Sequence, residues 1–150
     1  MAARKAKQAS ELVAADYETL AAWRYSLRRF LVFSDMAAAS VGLTQQQYLA
    51  MLVIKASRVP VTVGLLAEQL MVKHHSAVGL VDRLVEQGLV RRTQTKTDRR
   101  KVAITFTARG ARAFAKLAAV QRRELRRIGP DLARFMAFFS RASGGRARPS

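Results

Sequence analysis

Lys73, His74, His75 and Ser76 gather an ammonium, two imidazoles and a hydroxyl into one short polar segment. All four form hydrogen bonds readily and suit a polar or anionic partner surface. A second group sets Lys96, Arg99 and Arg100 around a lone acid, Asp98, with Arg91 and Arg92 a few residues before it. Arg122, Arg123, Arg126 and Arg127 form a further basic cluster, which a solvated helix face would explain equally well. Metal binding is not expected. Adjacent histidines on a helix point in different directions, and the chain has no other His and no Cys. Catalysis is not expected either, and no cofactor is implied. There is no phosphate-binding Gly-rich loop, no Ser-x-x-Lys or Gly-x-Ser-x-Gly pattern, and no paired carboxylates in a plausible cleft.

The charge points to a partner. In 150 residues there are 27 Lys+Arg against 10 Asp+Glu, a formal charge of +17. Such an excess opposes compaction and attracts a polyanion: nucleic acid first, an anionic membrane second. The segment 87–130 alone holds 13 basic residues and two acids, Asp98 and Glu124. Half the residues are hydrophobic, enough for one cored domain. No apolar run approaches the ~18 residues that span a bilayer. The start, MAARKAKQAS, lacks an apolar signal region, so a cytoplasmic protein is expected. Residues 1–15 suggest a flexible basic leader and 144–150 a flexible basic tail, which leaves 16–143 as a single domain.

The elements that would position these residues follow from periodicity. Leu20, Trp23, Leu27 and Phe30 recur at helical spacing in a first helix over about 16–39, with Leu31 and Ser34 continuing the face. Thr44 and Gln47 form a capping box for a helix to about 56, flanked by Leu43 and Tyr48 as a hydrophobic staple. Thr62 is an N-cap for a short helix through 70, with Leu65, Leu66 and Leu70 facing inward. A second short helix over about 74–87 has Val78, Val81, Leu84 and Val85 as its stripe and Gly88 as its stop. Two short helices joined by a tight link make a helix-turn-helix, whose second helix enters a DNA major groove by its N-terminal residues. That assigns Lys73, His74, His75 and Ser76 to base edges. The period then changes to two. LVRRT and KVAITF are strands, the second with Val102, Ile104 and Phe106 on one face and Lys101, Ala103 and Thr105 on the other. They form a wing with a basic tip. Its Lys96, Arg99 and Arg100 suit a narrow minor groove, and Arg91 and Arg92 suit the DNA backbone. Asp98 would shape the hairpin through a salt bridge or a loop hydrogen bond. Thr107 can cap a long helix over about 108–128 with Phe114, Leu117 and Leu125 apolar. Gly129-Pro130 would interrupt it, with Pro130 in the first turn of a last helix carrying Leu132, Phe135, Met136 and Phe139. The fold class is mainly α with a small β-hairpin wing, in the order α-α-α-α-β-β-α-α.

This pattern resembles the MarR family of bacterial winged-helix transcriptional regulators over roughly 17–140. The specific parts are LAEQL, one residue, then VKHHSAVGLVDRLVEQGLV, followed by DRRKVAITFTARG, with Asp98, Arg100, Thr107 and Gly110 at the family's wing and helix-entry positions. The chain departs from it at Gly79, where the family often has a second polar or basic residue in the recognition helix. The resemblance implies a DNA-binding lobe over about 44–107 and dimerisation helices over about 16–39 and 108–143. It implies that Asp82 pairs with Arg100 to tie wing to helix. It also implies a homodimer on double-stranded DNA that regulates transcription, as a repressor, with a small aromatic or phenolic ligand lodging near the aromatic-rich end helices. The charge alone also suits a sequence-tolerant architectural or nucleoid protein.

Overall fold

A computed structural model of the chain describes the backbone of residues 12–143 and the side chains of residues 12–140. Most of the leader and all of the tail lie outside the described residues. Among the described residues, five helices and one hairpin follow in the order α1 (Ala14–Ala39), α2 (Gln45–Ala56), α3 (Val63–Gln69), α4 (His74–Glu86), β1 (Val90–Gln94), β2 (Val102–Phe106) and α5 (Ala108–Ser143). The chain divides into two compact units whose boundaries fall inside the two long helices. One spans Phe33–Arg122, and the other holds the described residues before 33 and after 122.

The larger unit starts from local signals. Thr44 accepts from the Gln47 backbone N–H at 3.2 Å, and the Gln47 side chain accepts from the Thr44 N–H at 2.8 Å, so α2 opens on a complete capping box. Thr62 Oγ1 caps α3 by accepting from the Leu65 N–H at 3.2 Å. The helix-turn-helix link closes with Met71 at φ 53°, a left-handed conformation that ordinarily selects glycine. Its N–H donates to the Glu68 carbonyl at 3.1 Å and that of Val72 to Ala67 at 3.0 Å, a Schellman closure of α3. The same closure ends α4, with Gly88 at φ 68° and the Leu89 N–H on the Leu84 carbonyl at 3.0 Å. The core under these helices includes Met51, Leu66, Leu80, Val81, Leu84, Val90, Ile104 and Leu117. Burying each such side chain fully contributes about 1.5–3 kcal/mol. Tyr48 stacks on Phe114 at 5.9 Å between ring centroids, and Phe114 meets Phe106 at 5.6 Å.

Four expectations need correction. The buried stripe of α4 is Ala77, Leu80, Val81 and Leu84, with Val78 and Val85 at its half-buried margins. Strand β2 does not alternate cleanly: Ala103 and Ile104 are both buried and Val102 is 42 % exposed. The strand also has a neighbour on each edge. β1 pairs antiparallel with it, with Arg92 opposite Ile104, while the Ile104 N–H turns away and donates to the Val61 carbonyl at 2.7 Å. Leu125 is 43 % exposed, whereas Gln121 is buried. Finally, α5 continues through Pro130, so the order is α-α-α-α-β-β-α with no sixth helix among the described residues. Its buried positions Phe114, Leu117, Gln121, Ile128 and Phe135 keep one helical phase across Gly129-Pro130. Burial within each unit, on either side of the proline, offsets the ~3 kcal/mol that an interior proline costs.

In the smaller unit, Trp23 meets Phe139 edge-on at 6.2 Å between ring centroids, and Ile128 and Phe135 are buried.

Candidate nucleic-acid interface

Helix α4 presents the first group. Lys73 is its N-cap, with no side-chain cap hydrogen bond, and Lys73, His74, His75 and Ser76 are all exposed. The reason is the stripe opposite them: with Ala77, Leu80, Val81 and Leu84 turned to the core, the first turn and the outward face are left to solvent. The helix is held at its far end as well. Gln47 Nε2 donates to Gln87 Oε1 at 2.8 Å, and Gln87 Nε2 donates to the Gly42 carbonyl at 3.3 Å. The buried Gln47 therefore serves two helices, capping α2 with one end and locating the end of α4 with the other.

The wing is anchored at its base by Thr107. Its N–H donates to the Leu89 carbonyl at 3.1 Å, its hydroxyl donates to the Gly88 carbonyl at 2.6 Å and accepts from the Gly110 N–H at 3.0 Å. Gly110 lies so close to β1 that a Cβ there would come within 1.8 Å of the Leu89 carbonyl oxygen. That contact explains the Thr-x-x-Gly entry: the first turn of α5 rests directly on the start of the wing.

At the tip, Thr95 Oγ1 donates to the Asp98 carbonyl at 2.6 Å and accepts from the Asp98 N–H at 3.2 Å, while the Lys101 carbonyl accepts from the Thr95 N–H at 3.0 Å. The Asp98 carboxylate accepts from the Arg100 backbone N–H at 3.0 Å. The acid is thus occupied by the loop it shapes, and Lys96, Arg99 and Arg100 stay exposed around it.

The tie between wing and helix differs from the expected one. Asp82 pairs with Arg92 of β1 at 2.5 Å, not with Arg100. Arg92 belongs to the strand that follows α4 directly, whereas Arg100 sits at the far tip of the hairpin. The Arg92 guanidinium is consequently committed to Asp82, and its exposed neighbour Arg91 at the wing base has no side-chain partner among the described residues. In the distal basic cluster, Arg127 holds Glu124 through two hydrogen bonds, at 2.6 and 3.0 Å. The hydrogen bond from Arg127 is the main cause that keeps the Glu124 carboxyl below its ordinary range.

Sequence reasoning missed Arg83, exposed on α4 one turn beyond Gly79. A signal was present, since positions 75, 79 and 83 share one helical face. Among the described residues no group of three or more His, Asp or Glu could hold a metal ion, and no helix is long and apolar enough to cross a membrane.

A helix-turn-helix whose second helix is followed at once by a two-stranded hairpin defines a winged-helix protein. Residues 41–101, from the turn before α2 to the wing tip, match the model of the MarR family. Solved structures carry the same fold over most of the chain. RV1404 from Mycobacterium tuberculosis is 25 % identical with TM-score 0.67, covering 93 % of this chain and 100 % of that one. AbsC, a MarR family transcriptional regulator from Streptomyces coelicolor, is 21 % identical with TM-score 0.66, covering 81 % and 83 %. The F27L mutant of MepR from S. aureus, bound to an oligodeoxyribonucleotide, is 15 % identical with TM-score 0.63, covering 87 % and 96 %. No curated protein matches significantly. The chain has the fold of the MarR family transcriptional regulators.

Proposed function

We propose that this protein is a cytoplasmic, sequence-specific regulator of transcription that binds duplex DNA as a homodimer. The observation that carries the reading is the pairing of two exposed polar groups with a fixed link between them. Lys73, His74, His75 and Ser76 open α4, the cations Lys96, Arg99 and Arg100 surround the wing tip, and Asp82–Arg92 ties strand to helix. In the proposal, α4 enters the major groove, the wing tip meets the flanking minor groove, and Arg91 contacts a phosphate. The MepR mutant that carries an oligodeoxyribonucleotide shares the fold and supports this.

Dimerisation is supported by apolar groups left in solvent on the long helices: Tyr17, Tyr25, Val32 and Met36 of α1 are 53–68 % exposed, and Met136 of α5 is 65 % exposed. Sedimentation at micromolar concentration tests it, and a monomer would reject it. A small aromatic acid as releasing ligand is supported by a cavity of about 310 Å³ within the larger unit, walled by Phe33, Met36, Val41, Leu117 and Val120 with Lys116 at its edge. Repression follows where the bound site overlaps a promoter.

The charge of +17 favours a second reading, an architectural protein that grips phosphate without reading bases. Selection of bound duplexes from a random pool at physiological salt separates the two. A pseudo-palindrome with half-sites about one helical turn apart supports the regulator. Unselected sequence supports the architectural protein.

A further inference from the structure

A glycine inside a recognition helix weakens that helix, so its presence calls for a reason. Close packing against another helix is one reason, and the described residues show none. A Cβ built on Gly79 meets nothing within 4 Å except the Arg83 Nη1 atom, at 3.9 Å. Gly79 instead lies on the face of α4 opposite Ala77, Leu80, Val81 and Leu84. His75, Gly79 and Arg83 succeed one another there at intervals of four residues, and side chains on a helix lean toward its N-terminus. Arg83 follows that rule and lies back over the bare turn that Gly79 leaves. Its guanidinium has no hydrogen bond or ion pair among the described residues. Of the two acids flanking it on the helix, Asp82 is engaged by Arg92, and Glu86 lies beyond ion-pairing distance.

We infer that Arg83 is a base-reading residue of α4, and that Gly79 is the opening that lets its guanidinium reach the groove floor beside His75 and Ser76. A free planar guanidinium in a major groove selects guanine, by paired hydrogen bonds to O6 and N7. A β-carbon at position 79 would lie in ordinary contact with the guanidinium, 3.9 Å from Nη1, and on the groove-facing side it would hold the helix further from the bases. This inference rests on the duplex-binding reading above and adds to it one residue and one preferred base.

The test compares wild type, Arg83→Lys and Gly79→Ala on one randomised duplex library, with thermal melting of each variant. Arg83→Lys keeps the charge and should keep the salt dependence, while relaxing a guanine preference at one position per half-site by about 10-fold or more. Gly79→Ala should melt about 3 °C or more above wild type, because the helix gains propensity and nothing clashes. The same variant should lose preference at the same base pair as Arg83→Lys. A rise in stability joined to a loss of selectivity is an outcome that a merely structural glycine would not produce. If wild type selects a site and Arg83→Lys retains every preference, the inference is overturned and the duplex-binding reading stands. If wild type selects no site at all, both fall.

Discussion

At the scale of single residues, the tightest constraint in the winged-helix unit is Gly110. A methyl group there would sit 1.8 Å from the Leu89 carbonyl oxygen and 2.6 Å from its carbon, and both atoms belong to backbone pinned by the Thr107 hydrogen bonds. Gly110→Ala should therefore lower stability by about 3 kcal/mol, the upper end of overpacking costs. Gly64 supplies the control, because a Cβ on it meets only Thr62 Oγ1 at 3.8 Å. Gly64→Ala should raise stability by about 0.5–1 kcal/mol, as expected inside a helix. Urea denaturation of both variants checks the pair, and equal effects of the two would contradict the close approach at Leu89.

At the scale of elements, two joints carry strain that the sequence retains. The turn between α3 and α4 places Met71 at φ 53° with 92 % of its surface exposed, so the side chain offsets none of the conformational cost through burial. Met71→Gly should stabilise the fold by about 1 kcal/mol, the left-handed penalty of a side chain less the added freedom of glycine in the unfolded chain. A lower denaturation midpoint for this variant would mean that the turn is not left-handed. The second joint is Pro130 within α5. Pro130→Ala restores a backbone N–H that can donate to the Arg126 carbonyl, and should stabilise by about 1–3 kcal/mol with circular dichroism showing no loss of helix. Were Pro130 the first turn of a separate helix, the substitution would leave stability flat or reduce it.

At the scale of the whole molecule, the electrostatics are one-sided. The chain carries +17, and among the described residues only three acids, Asp82, Glu124 and Asp131, stand in ion pairs. Most of the cations are therefore available to a polyanion. In the proposed complex each phosphate contact releases condensed counterions, so duplex affinity should fall by about 10³-fold or more between about 50 and 200 mM salt. Fluorescence anisotropy across that range measures the slope. A flat response would remove phosphate contacts from the reading, whatever the base preference.

Much of the helix-turn-helix was legible in the sequence because its signals are local. The Thr44–Gln47 box, the Thr62 cap and the Gly88 stop act within a few residues, so composition at those positions is enough to place α2, α3 and the end of α4. The exposed Lys73–His74–His75–Ser76 start of α4 follows from the same helical period that buries Leu80 and Leu84. Tertiary structure alone decided the long-range choices. Gln47 reaches Gln87, 40 residues away, and Asp82 takes Arg92 in preference to Arg100. Strand β2 acquires a second neighbour at Val61, and Ala103 and Ile104 are both buried where strict alternation would leave one to solvent. Helix α5 crosses Pro130, and Gly79 faces outward with Arg83 over it. In each case a residue has more than one locally acceptable partner or conformation. The decision then falls to burial and to which groups the packed fold brings within reach, and a local pattern does not encode that.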